Sequence, residues 1–93
     1  MAFTTWRKEI DIALKERNES FDSVVCCTLS EEELDYQFND GFGWPNGLPF
    51  TLWTREFVYF PVCYDGAEWV GSVSRHPDNK ATEHFGGEHF GGW

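Results

Sequence analysis

Between residues 57 and 73 the chain alternates in the period of a strand, with one break. Phe57-Val58-Tyr59-Phe60-Pro61-Val62-Cys63-Tyr64 is followed by Asp65-Gly66, and then by Ala67-Glu68-Trp69-Val70-Gly71-Ser72-Val73. An Asp-Gly pair between two β-rich runs predicts a two-residue hairpin, because a type I′ turn needs positive φ at both central residues. The turn fixes the register, and the register sorts the side chains. Val62 faces Trp69, Phe60 faces Gly71 and Val58 faces Val73, which makes an apolar row. Cys63 with Glu68, Pro61 with Val70 and Tyr59 with Ser72 make a mixed row. The expectation is that the apolar row faces the core and the mixed row faces water or a partner.

Upstream, Trp6, Ile10, Ala13 and Leu14 fall on one stripe at helical spacing, so residues 5–18 read as an amphipathic helix. Thr4 or Thr5 suits its start and Asn18 its end. Residues 20–26 read as a short helical turn capped by Ser20. Ser30-Glu31-Glu32-Glu33 is a capping box, flanked by Leu29 and Leu34 as a hydrophobic staple. It predicts a helix running to about Phe38. Residues 39–49 are a loop by their glycines, prolines and asparagines. Phe50-Thr51-Leu52-Trp53-Thr54 reads as a strand. A three-residue offset after it would place Phe50 and Leu52 on the face of Val58, Phe60 and Val62. Pro61 donates no ladder bond, so its strand should have a free edge there or a bulge.

The expected fold is α+β: two or three N-terminal helices packed on a three-stranded antiparallel β-meander, with strands near 50–54, 57–64 and 67–73. The expected core is Trp6, Ile10, Leu14, Val24, Leu34, Phe38, Phe50, Leu52, Val58, Phe60, Val62, Trp69 and Val73. Residues 1–82 form the single domain. Residues 83–93 hold a tandem repeat, Glu-His-Phe-Gly-Gly twice and then Trp93, whose glycines predict a flexible tail.

Composition adds that the core is ring-rich and the surface acidic. Of 93 residues 18% are aromatic, which lets a small domain bury much area with few side chains. The formal charge is −9. Ten of the sixteen acids lie in residues 1–40, against four bases. A field of this sign repels nucleic acid and anionic membrane, so neither is an expected partner, and it favours basic proteins. The plainer role of such acidity is solubility. Cys26, Cys27 and Cys63 form no Cys-x-x-Cys pair. With no signal-peptide pattern and no long apolar run, a cytoplasmic protein with reduced thiols is expected.

The stretch from Cys27 to Pro77 is similar to a group of small acidic proteins encoded by tailed phages and prophages. The residues that carry the resemblance include Cys27-Thr28-Leu29-Ser30, Glu33-Leu34-Asp35, Gly41-Phe42-Gly43, Pro49-Phe50-Thr51-Leu52-Trp53-Thr54, Val58-Tyr59-Phe60-Pro61, Tyr64 through Val73, and Arg75-His76-Pro77. It covers about half the chain. It implies a phage or prophage origin and an accessory role in the host cell, and no catalytic residue. The tail repeat departs from the pattern.

Most chemical motifs fail on spacing. His76, His84, His89 and the cysteines match no structural zinc pattern, so no metal and no cofactor is expected. Cys27, before a helix start, and Cys63, beside the turn, lack a recognisable histidine partner. The glutamates at 31–33 are explained by capping and the helix dipole rather than by acid–base chemistry. Gly41-Phe42-Gly43 follows no strand-to-helix phosphate pattern. Two surfaces survive. Glu31, Glu32, Asp35 and Asp40, with the aromatic residues Trp44 and Trp53, could bind a host or defence protein, steered by charge; a solvated helix face is the plainer reading. Trp53, Arg55, Tyr59, Arg75 and His76 could instead sandwich a nucleotide-type ligand, unless helices cover that face. The expected function is a non-enzymatic accessory protein that binds and inhibits a host or anti-phage defence protein; the alternative is a binder that sequesters a nucleotide-type signal. An open edge near Pro61 or a bare aromatic face would suit a homodimer.

Overall fold

The computed structural model describes residues 2–41 and 45–85. Trp44 and the second copy of the tail repeat lie outside the described residues. Among the described residues the fold is α+β, with one long helix, one short helix and two antiparallel sheets. The strands are β1 (Ala2–Thr5), β2 (Val24–Cys27), β3 (Gln37–Asp40), β4 (Leu52–Thr54), β5 (Phe57–Tyr64) and β6 (Ala67–Ser74). The helices are α1 (Trp6–Glu16) and α2 (Glu31–Leu34). β1 pairs with β3; the larger sheet runs β2-β4-β5-β6.

The hairpin register is as the turn dictates. Val62 pairs with Trp69, Phe60 with Gly71 and Val58 with Val73. Asp65 has φ 51° and Gly66 φ 87°, the left-handed pair the turn requires. In a two-residue hairpin Tyr64 and Ala67 exchange ladder bonds, so by alternation Pro61 sits in a non-bonded pair and its nitrogen faces away from β6. β4 pairs with β5 only at Val58 and Tyr59, so the ladder on that flank ends before Pro61, in keeping with its missing donor.

The face assignment is inverted, however. Tyr59 and Val70, from the row expected to be mixed, are buried in the main core with Leu52, beneath the α1 stripe. Val58, Phe60, Trp69 and Val73 are only half-buried, on the opposite face, where Val62 is buried as expected but outside the main core cluster. Two causes are visible. Leu52 pairs with Tyr59, not with an apolar-row residue, because Thr54 closes a tight turn over Arg55-Glu56. Its hydroxyl accepts N–H bonds from Glu56 at 3.3 Å and Phe57 at 3.0 Å. The polar members of the inner row also have partners. The Tyr59 hydroxyl donates to Glu19 Oε1 at 2.5 Å. The buried Glu68 carboxylate accepts the backbone N–H groups of Asn46 at 2.7 Å and Gly47 at 2.9 Å. Burial of a satisfied polar group is tolerated where an unsatisfied one is not.

The N-terminal half holds fewer helices and more strands than expected. Residues 21–23 make one 3-10 turn, and the β-branched pair Val24-Val25 then enters β2 against β4. α2 has the predicted capping box between Ser30 and Glu33 but ends at Leu34. Phe38 still points inward, from a strand that takes its rungs from β1. β4 is three residues long; Phe50, just before it, is buried.

α1 follows its pattern closely. Thr5 accepts from Lys8 N–H, and Trp6, Ile10, Ala13 and Leu14 are buried. Asn18, at φ 60°, ends it. Asn18 N–H bonds to the Lys15 carbonyl and Glu19 N–H to the Leu14 carbonyl, the Schellman arrangement. Trp6 is the hub of the core, with ring centroids 4.7 Å from Phe38 and 4.9 Å from Phe50. Its indole N–H donates to the Leu48 carbonyl at 2.9 Å, which anchors the loop over the ring.

Candidate functional site

The acidic surface centres on α2. Three glutamates fill the first turn because Ser30 starts the helix and its dipole favours negative charge there. Arg7, on the neighbouring α1, reaches across to them. Its Nε lies 2.6 Å from Asp35 Oδ1 and its Nη2 2.8 Å from Glu31 Oε1. These acceptors, Asp35 first and then Glu31, push the guanidinium pKa further above its ordinary value. The carboxylates stay largely in water: the Glu31 side chain is 88% exposed and that of Asp35 62%. Glu32 is exposed beside them.

Asp40 does not join this group. Its Oδ1 accepts the backbone N–H of Glu68 at 2.6 Å, on the outer edge of β6. Gly41 N–H donates to the Gly66 carbonyl at 2.8 Å next to it. Asp40 therefore joins the small sheet to the hairpin turn. Trp44 lies outside the described residues. Trp53 is half-buried, paired with Val58 on the outer sheet face.

The five residues of the ligand-binding alternative are not gathered on one surface. Tyr59 is fully buried on the core face, opposite to Trp53. Burial, then the Glu19 hydrogen bond, pushes its phenol pKa well above the ordinary value. Arg75 and His76 clasp the β4–β5 turn. Arg75 N–H donates to the Glu56 carbonyl at 2.8 Å and its Nη1 to the Thr54 carbonyl at 2.7 Å. His76 Nε2 lies 3.1 Å from the Arg55 carbonyl. Three consecutive carbonyls of a glycine-free turn are thus satisfied from the end of β6, while the Arg55 side chain remains exposed.

A different cleft does form. Its volume is about 640 Å³, and the segment after β6 builds one wall. Arg17, His76, Lys80 and His84 line it with Phe57 and Phe85, together with the carboxylates of Asp78 and Glu83. Arg17 lies over the Phe57 ring at 4.4 Å and donates to Ser72 Oγ at 2.8 Å. Only His76 of this lining belonged to the sequence-derived set. The missed signal is that a chain of charge −9 has few bases after residue 40, and Lys80 and His76 fall within one short segment after β6.

The thiols give no nucleophile geometry. Burial pushes the Cys27 pKa up, against the opposing effect of the Leu29 N–H, which donates to its Sγ at 3.4 Å. A raised pKa disfavours the reactive thiolate. Cys26 and Cys63 are exposed. Among the described residues no three His, Cys, Asp or Glu side chains are grouped to hold a metal ion, and no helix is long and apolar enough to cross a membrane.

No family model, curated protein or solved structure matches this chain.

Proposed function

We propose that this chain is a non-enzymatic accessory protein of phage or prophage origin, which binds and inhibits a host or anti-phage defence protein in the host cytoplasm. The observation that carries the reading is the α2 surface. Glu31, Glu32 and Asp35 stand exposed on one helical turn, with Arg7 as the cation drawn to them. The residue resemblance over Cys27–Pro77 supports the origin, and the charge of −9 supports a basic partner. Trp53 adds a half-buried ring on the outer sheet face. The test is a pull-down from infected host lysate with identification of a stoichiometric partner. Binding should weaken with salt and fall at least tenfold in a Glu32→Lys variant, which leaves the Arg7 bridges intact. Affinity indifferent to both salt and that substitution would refute the acidic-surface mechanism.

The cleft supports a second reading, a binder of a small anionic ligand such as a nucleotide. Arg17, Lys80 and two aromatic rings are the attractive groups that reading needs, and the lining carboxylates Asp78 and Glu83 oppose them. A thermal-shift screen with a nucleotide panel tests it, together with mass spectrometry of material released by heating. No shift and no released molecule would remove it.

A further inference from the structure

The outer face of the β5–β6 hairpin holds a notch. Phe60 stands opposite Gly71, which has no side chain to meet the ring. A glycine inside a strand marks a close approach, and an aromatic across the ladder is the usual cover for it. Here a second ring enters as well. A Cβ on Gly71 would lie 2.8 Å from Phe85 Cε1, 2.9 Å from Phe60 Cε1 and 2.9 Å from Val62 Cγ2. The Phe60 and Phe85 rings meet edge to face, with centroids 5.2 Å apart and planes at 82°. Gly71 and Val62 are buried, whereas Phe85 is 40% exposed. The notch is part of the sheet, and Phe85 is its cap, presented by the segment that follows β6.

Phe85 belongs to Glu83-His84-Phe85-Gly86-Gly87. The same five residues recur at 88–92, outside the described residues. The chain therefore carries one seat and two identical ligands for it. The geometry points to a self-ligated docking seat: Phe60, Val62 and Gly71 bind a Phe-Gly-Gly segment of this chain, and Phe90 is the alternative occupant that takes the seat when Phe85 leaves it. The repeat gives Phe90 the same neighbours on both sides as Phe85, so both rings bring the same chemistry to the notch. Five added residues lengthen the loop from Ser74 only modestly, and closure entropy grows as the logarithm of loop length. A tethered ligand stays at an effective concentration on the order of millimolar in either register. The duplication then keeps an apolar notch covered when either ring is lost or engaged elsewhere.

The Gly71 Hα that points into the notch lies against the Phe85 and Phe60 ring edges, so a change of occupant at the Phe85 position reads as a change in its ring-current shift in NMR spectra. The test uses the full chain as wild type, Phe85→Ala and Phe85→Ala/Phe90→Ala, with the double variant defining the empty seat. The single variant is expected to retain at least half of the shift that separates wild type from the double variant. A peptide of residues 83–93 added to the double variant should restore that shift saturably. A single variant indistinguishable from the double variant would overturn the shared seat. So would a wild type indistinguishable from the double variant, or no restoration at millimolar peptide. Phe85 lies outside the main core cluster, so these variants leave the fold intact.

Discussion

The hydroxyl of Tyr59, at the centre of β5, donates to the Glu19 carboxylate just past the end of α1, forty residues away in sequence. This bond is what permits a tyrosine to occupy the innermost layer of the sheet. Replacing it by phenylalanine keeps the ring and removes the bond. Y59F should cost about 1 kcal/mol, read as a lower urea midpoint with an unchanged slope. The same group sets an alkaline limit. Its folded pKa is raised, so between the ordinary tyrosine value of about 10 and the folded value the native state holds a proton that the unfolded chain has lost. Stability from this group is complete below about pH 10 and declines as pH rises beyond it. Denaturation series at pH 9 and 11 should show that decline in the wild type and a smaller one in Y59F.

Glu68 should be a more damaging site. Its carboxylate takes two loop N–H bonds, from Asn46 and Gly47, in a buried position. E68A leaves both donors without that acceptor and should cost about 3 kcal/mol by chemical denaturation. E68Q keeps one acceptor oxygen and should cost distinctly less. Equal losses would mean that the carboxylate's volume, not its bonding, is what matters.

Gly47 lies against the hub of the core. A Cβ there would sit 2.5 Å from Trp6 Cζ2 and 2.8 Å from Trp6 Nε1. The indole has little freedom to yield, because Leu48 holds its N–H and Phe38 and Phe50 flank its ring. G47A should destabilise by about 2 kcal/mol through overpacking, with a shifted tryptophan emission spectrum as its signature.

At the end of α1, Asn18 holds φ 60°. N18A puts a Cβ without asparagine's local compensation into the left-handed region and should cost about 1 kcal/mol. N18G should equal or exceed the wild type in thermal midpoint, since glycine meets no penalty there.

The hairpin was readable in the sequence to the level of individual pairs, because a two-residue turn leaves no freedom of register. The covered face was not readable. Period two says which side chains travel together, and the choice between the two rows depended on distant partners. Glu68 and Tyr59 look like surface residues until Asn46, Gly47 and Glu19 are placed beside them. β1 and β3 escaped for a related reason: their rungs join residues 2–5 to 37–40, and neither short segment carries a strand pattern alone. The α1 stripe, its asparagine end and the Ser30 box were legible because each is local. Of the partner surface, Glu31, Glu32 and Asp35 lie together as their helical spacing implied. Asp40 was drawn to the hairpin turn by an amide that no local pattern shows. The Arg-His pair at 75–76 reads as ligand chemistry in sequence and serves as a clasp on backbone carbonyls in the fold.

The proline at position 61 has a consequence for how molecules of this protein meet. A visiting strand laid along β5 beyond the end of β4 would need a row of amides to stitch itself on, and that row lacks its donor at Pro61. Self-association by sheet extension is thereby discouraged there without any charged guard.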